Sequence, residues 1–256
     1  MMNWTASFSI LTHPGVMAYI GKGVAFTLVL SALSVVISIL LGSVLALCRN
    51  YCTGKSRIFG WIATAYIEVF RNTPLLLWIF ICLVVCPCPK FFAHKMLGLT
   101  SVEMKILFRA VVALVLFTSS VIAEIIRGGL NAIPKGQFEA AYSQGFNLPQ
   151  TLLFIIIPQT FKNIVPTLLS QVITTVKDTS YIANIAVAEL MGRTFQLIQI
   201  SPRYTCFSTQ NVSDVFVLCG LACVMYFAVN FTISLVVRHM QKPKKIKTAA
   251  KLEESQ

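Results

Sequence analysis

The chain alternates long apolar runs with short polar punctuation. Residues 24–47 are apolar apart from Thr27 and several serines. At 1.5 Å per residue a helix of that length reaches across a hydrocarbon core of about 30 Å. Comparable runs occupy residues 58–85, 104–126, 151–176 and 215–237. The pattern predicts an all-α polytopic membrane protein with about five transmembrane helices. Two of the five runs are irregular. Residues 58–85 carry Glu68 and Arg71 ahead of Pro74, which lacks a backbone donor, so a kink or a restarted helix is expected near Thr73. Residues 151–176 contain Pro158, Lys162 and Pro166, and broken spans are tolerated where the freed backbone is buried in protein or lines a cavity. Between the runs, residues 1–23 read as a mixed segment along the outer surface and 101–109 as a polar lead-in to the third span. Residues 181–190 read as a short buried or re-entrant helix, and 191–213 as an outer loop.

Charge orients the runs. Arg49, Lys55 and Arg57 follow the first span, Arg127 and Lys135 follow the third, and Arg238, His239, Lys242, Lys244, Lys245, Lys247 and Lys251 follow the fifth. Basic residues collect on the cytoplasmic side, so the N-terminus is expected outside and the C-terminus inside. Residues 241–256 then form a basic cytoplasmic tail drawn to anionic lipid headgroups. The same count places the polar segment 136–146, between the third and fourth spans, in the cytoplasm.

Composition agrees with a bilayer and removes other classes. Of 256 residues, 56% are hydrophobic and only 12% charged, where a soluble domain has about a quarter charged. The net charge of +12 comes without a basic stripe interleaved with aromatics, so nucleic acid is not an expected partner. Cys48, Cys82, Cys86, Cys219 and Cys223 lie in or at the ends of spans and read as packing residues. Cys86 and Cys88, in a Cys-Pro-Cys-Pro run, lack the histidine partners of a metal site, and no metal site is expected. No phosphate-binding loop, zinc-protease or serine-hydrolase pattern occurs, so an enzyme is not expected.

The segment 136–146 is a short amphipathic stretch of small and polar residues set between two apolar spans. Ala140 and Ala141 permit close approach, Glu139 sets a charge in its first turn, and Gly145 can end a helix in the left-handed conformation. An ordinary helix at the membrane surface would account for part of this pattern; a handle gripped by a partner accounts for all of it. Glu139, Ala140, Ala141 and Gly145, followed by Ile155, Ile157 and Pro158, resemble the EAA signature of bacterial ABC import permeases. Phe70 to Leu76, Ala123 to Gly129, Ile133 to Gln137, Lys177 to Ser180 and Glu189-Leu190 are similar to segments of the polar amino acid permeases, the histidine, glutamine and arginine type. The resemblance covers residues 21–239.

It implies a type I importer permease fold in a bacterial inner membrane, with residues 1–240 as one transmembrane domain and 136–146 as the coupling helix. It also implies a cytoplasmic ABC ATPase dimer holding ATP and magnesium, a second permease chain, and an extracytoplasmic substrate-binding protein. On this reading Glu139, Ala140, Ala141 and Gly145 contact the ATPase. Glu68, Asp178, Thr179 and Ser180 are candidates for the solute path. Local alternatives exist for these acids: Glu68 can pair with Arg71 one turn away, and Asp178 can pair with Lys177 or cap the helix that follows. Two other classes fit the composition, a purely structural membrane subunit and a proton-coupled secondary transporter relaying through Glu68 and Glu124. Neither gives the segment 136–146 a purpose.

Overall fold

The computed structural model describes residues 4–94, 99–204 and 211–241. Among them ten α-helices carry the fold. Helix α1 (Trp4–Thr12) leads into α2 (Pro14–Tyr51), 38 residues long. Pro14 stands in the first turn, where its missing N–H would have no intrahelical partner in any case. The surface segment expected over residues 1–23 is therefore, from residue 4 on, one short helix and the opening turns of a long one. Gly23 lies inside α2 because a Cβ there would come within 3.0 Å of the Leu190 backbone.

Helix α2 packs most extensively against α5 (Ser101–Asn131). Thr27, Ser31, Ser34, Ser38, Gly42 and Ala46 of α2 are all buried and spaced by three or four residues. A Cβ on Gly42 would lie 2.9 Å from the Ser119 carbonyl oxygen, so the two backbones touch, as small residues allow in membranes. Ser38 Oγ donates to the Val115 carbonyl across the contact at 3.2 Å. Helix α5 starts at a capping box in which Thr100 Oγ1 accepts from the Glu103 N–H at 3.3 Å and Glu103 Oε2 from the Thr100 N–H at 2.7 Å. The polar residues 101–109 thus belong to one continuous helix with the third span.

The second apolar run is two helices, α3 (Arg57–Arg71) and α4 (Leu75–Val85), bent by 112°. The kink or restarted helix expected near Thr73 takes the second form: α4 starts afresh after Pro74, and the turn is sharper than a kink. Trp78 holds it, stacking on Phe70 at 4.1 Å and donating from Nε1 to Thr73 Oγ1 at 2.7 Å. Among the described residues, four helical stretches are long and apolar enough to cross a membrane, five if α3 and α4 count as one broken span.

Helix α6 (Lys135–Ser143) and α7 (Leu148–Thr151) lead through a π-helical turn, Leu152–Ile156, into α8 (Ile157–Asp178). The π turn precedes Pro158, and Pro166 interrupts the bonding again inside α8. A 3-10 turn, Thr179–Ile185, ends at Ala186 with φ of 61°. Helix α9 (Leu190–Ile200) follows where an outer loop was expected, and α10 (Val212–Gln241) closes the bundle. The basic tail beyond residue 241 lies outside the described residues.

Candidate functional site

Helix α6 is built to be held on one side and free on the other. Ala141 is buried, and Ile133 and Phe138 belong to a core with Ile126, Ile156 and Ile164. Lys135, Gly136, Glu139, Ala140, Tyr142 and Ser143 are exposed. At its end the Phe146 N–H donates to the Ala141 carbonyl at 3.1 Å and the Gly145 N–H to the Tyr142 carbonyl at 2.9 Å, with Gly145 at φ 82°. This is a Schellman termination, and the left-handed glycine expected from the sequence stands in it. Gly129 lets α5 approach α8 just before the segment, since a Cβ there would sit 2.2 Å from Ile164 Cγ2. Of the four proposed contact residues, Glu139, Ala140 and Gly145 face out, whereas Ala141 seats α6 on the bundle.

One to two turns inward from α6 along α5, five charges from three helices converge. Glu124 Oε2 meets Arg49 at 3.2 Å and Arg71 at 3.8 Å, and Glu124 also pairs with Arg127 in its own helix. Arg49 Nη2 reaches Glu68 Oε1 at 2.8 Å. Glu68 and Arg71 therefore take partners on other helices rather than each other. The cluster ties the ends of α2, α3 and α5 together, and Asn50 Nδ2 adds a bond to Asn131 Oδ1 at 3.0 Å. Glu68 is thus separated from the other three path candidates. Those lie at the far end of α8.

There the Asp178 carboxylate is partly buried and has no ion pair or hydrogen bond among the described residues; it neither pairs with Lys177 nor caps the following turn. Ser180 is half-buried beside it. Thr179 is fully buried, and its hydroxyl donates to the Val176 carbonyl at 2.8 Å. Along α8, Asn163, Thr167, Ser170, Thr174 and Lys177 form an exposed polar stripe at helical spacing. A polar face on a membrane-length helix needs water or protein opposite it.

In the sequence Glu189 stands out only within a segment similar to the polar amino acid permeases, with no role attached to it. It is fully buried at the start of α9 and accepts from the N–H groups of Gly192 at 2.7 Å and Met191 at 2.9 Å, Tyr226 Oη at 2.9 Å and Thr27 Oγ1 at 3.2 Å. Four donors match a carboxylate, which only accepts. The site clamps α9 to α2 and α10. An acid three residues before a glycine, leading an apolar-periodic stretch, is the capping signal that could have revealed it.

A polar-striped helical bundle with a helix held out at one end defines a membrane-embedded transport subunit. The chain belongs to the family of binding-protein-dependent transport system inner membrane components, whose model matches residues 38–246. It is 35% identical over 225 residues to the probable glutamine ABC transporter permease protein GlnP of Bacillus subtilis, covering 88% of this chain and 93% of that one. It is 36% identical to the arginine transport system permease protein ArtQ of the same organism, over 70% of this chain and 75% of that one. Among solved structures, an amino acid ABC transporter crystallised with histidines matches with a TM-score of 0.68 and 27% identity, covering 90% of this chain and 98% of that one. These findings place the chain with ATP-driven uptake permeases. They give no support to the proton-coupled alternative, whose two relay acids are both held in ion pairs.

Proposed function

We propose that this chain carries an amino acid across the membrane and that α6 is the handle by which a separate cytoplasmic ATPase dimer, with its ATP and magnesium, drives it. The observation that carries the reading is the two-sidedness of α6: Phe138 and Ala141 anchor it to the inner core while Glu139, Ala140 and Tyr142 project. Force applied there passes to α5 through the short link at Ile133 and to α8 through Gln159, whose Nε2 donates to Gln137 Oε1 at 3.2 Å. A second permease chain faces the polar stripe of α8, and the solute moves between the two. An extracytoplasmic binding protein delivers it at the end marked by Asp178. The unpartnered Asp178 carboxylate suits the ammonium group of an amino acid, with Ser180 beside it; the relatives named for glutamine and arginine transport support that substrate class. Glu68 and Thr179 belong to the framework on this reading. The N-terminus lies outside and the C-terminus in the cytoplasm.

The test is purification of the tagged chain from its native membrane with co-purifying proteins identified, alongside Glu139→Lys. A phosphate-loop ATPase retained by the wild type and lost by the variant is the expected result. Equal retention by both would remove Glu139 from the contact, and absence of any ATPase from the intact membrane complex would overturn the reading.

A further inference from the structure

Two hollows on the flank of the bundle adjoin, separated only by a shared wall of Phe26 and Val29. The larger, about 480 Å³, runs between α2 and α5 and is walled entirely by apolar side chains, Val29, Leu33, Ile37, Phe108, Val111 and Val115 among them. The smaller, about 300 Å³, is lined by Lys22 and Arg193. Neither cation forms an ion pair among the described residues. Glu103 lines an adjoining hollow, where the Thr100 N–H and hydroxyl hold its carboxylate. Arg193 is fixed in place: Nε donates to the Ala188 carbonyl at 2.9 Å, Nη1 to the Tyr19 carbonyl at 3.4 Å, and the guanidinium lies 4.4 Å from the Tyr19 ring centroid. Donors of Arg193 beyond these bonds, and all three of Lys22, remain for a ligand.

Depth identifies the ligand. Lys22 and Arg49 stand near opposite ends of α2, about 40 Å apart along the axis, the span of a bilayer counted with its headgroup layers. From Phe26 to Ile37 the apolar wall runs about 16 Å, the depth of one leaflet. We propose that the two hollows together bind one anionic diacyl phospholipid, its phosphate between Lys22 and Arg193 and an acyl chain along α2 and α5 as far as Ile37. The guanidinium and ammonium suit a phosphate oxygen cluster. A zwitterionic lipid would bring a further positive charge to a site that already holds two. A helix from a second copy would fill the apolar half and leave both cations uncompensated.

Native mass spectrometry of the delipidated transporter complex tests this, with phosphatidylglycerol, phosphatidylcholine or glycerol phosphate added back. The expected result is one phosphatidylglycerol retained per copy of this chain in preference to phosphatidylcholine. Lys22→Gln should weaken phosphatidylglycerol retention about fivefold, the worth of one cation near a membrane surface, and so narrow its preference over phosphatidylcholine. Val111→Trp, which fills the larger hollow away from the cations, should abolish retention of the diacyl lipid. Four outcomes overturn the proposal: equal retention of the two lipids by the wild type, no effect of Lys22→Gln, glycerol phosphate competing as well as the intact lipid, or disulfide cross-linking of Val29→Cys between two copies in native membranes.

Discussion

A buried carboxylate costs several kcal/mol unless its oxygens are filled, and Glu189 fills both, from two backbone N–H groups and two hydroxyls. Glu189→Gln replaces one acceptor oxygen with an NH2 that faces donors. It should destabilise the chain by about 2–4 kcal/mol, against about 1 kcal/mol for Tyr226→Phe, read from thermal unfolding in detergent. Equal effects would mean the backbone bonds at the start of α9 carry the clamp alone. Gly145 presents the opposite case: nothing lies within 4 Å of a Cβ placed on it, and only its φ of 82° matters. Gly145→Ala should cost about 1 kcal/mol through the left-handed conformation and lower transport more than it lowers expression, which vesicle uptake per inserted protein would measure. The glycine was legible because a left-handed helix stop is a local property. Glu189 was not, since two of the four donors that satisfy it, Thr27 on α2 and Tyr226 on α10, lie far away in sequence.

Among elements, the hinge between α3 and α4 and the charge cluster beside it show where local reading stops. Pro74 marks the break, but the 112° angle depends on Trp78 finding Phe70 and Thr73, a packing result with no periodic signature. Glu68 and Arg71 sit at pairing distance on one helix, yet each is satisfied across a helix boundary because the ends of α2, α3 and α5 bring Arg49 and Glu124 into the same place. The surroundings of the two acids set an order of effects. Glu124, 22% exposed and facing three arginines, should cost about 1.5–3 kcal/mol when changed to Gln, because the arginines lose their shared counter-ion. Glu68, 47% exposed, should cost under about 1 kcal/mol. Unfolding of both variants in the same detergent checks the order. Similarly, α9 was hidden in a stretch read as loop because polar residues dilute its apolar face, whereas the long runs that became α2, α5 and α10 needed only their length to be seen.

For the whole molecule, the exposed stripe on α8 and the buried side of α6 belong to one mechanical unit, joined at the core of Ile133, Phe138, Ile156 and Ile164. Ser170→Trp, placed on the stripe away from the core, should leave insertion and ATPase retention intact while reducing amino acid uptake at least about tenfold in reconstituted vesicles, since on the proposed reading a ring there would obstruct the solute path. Unchanged uptake would move the path elsewhere. The backbone contact at Gly42 adds a further consequence. It joins α2 and α5 into a doubled strut, and α5 alone is 31 residues long, about 46 Å. A strut of that length is a lever: a tilt of about 5° at the α6 end sweeps the opposite end through about 4 Å, so under the coupling proposed above a small displacement of α6 would be read out as a solute-sized one at the other end of the bundle.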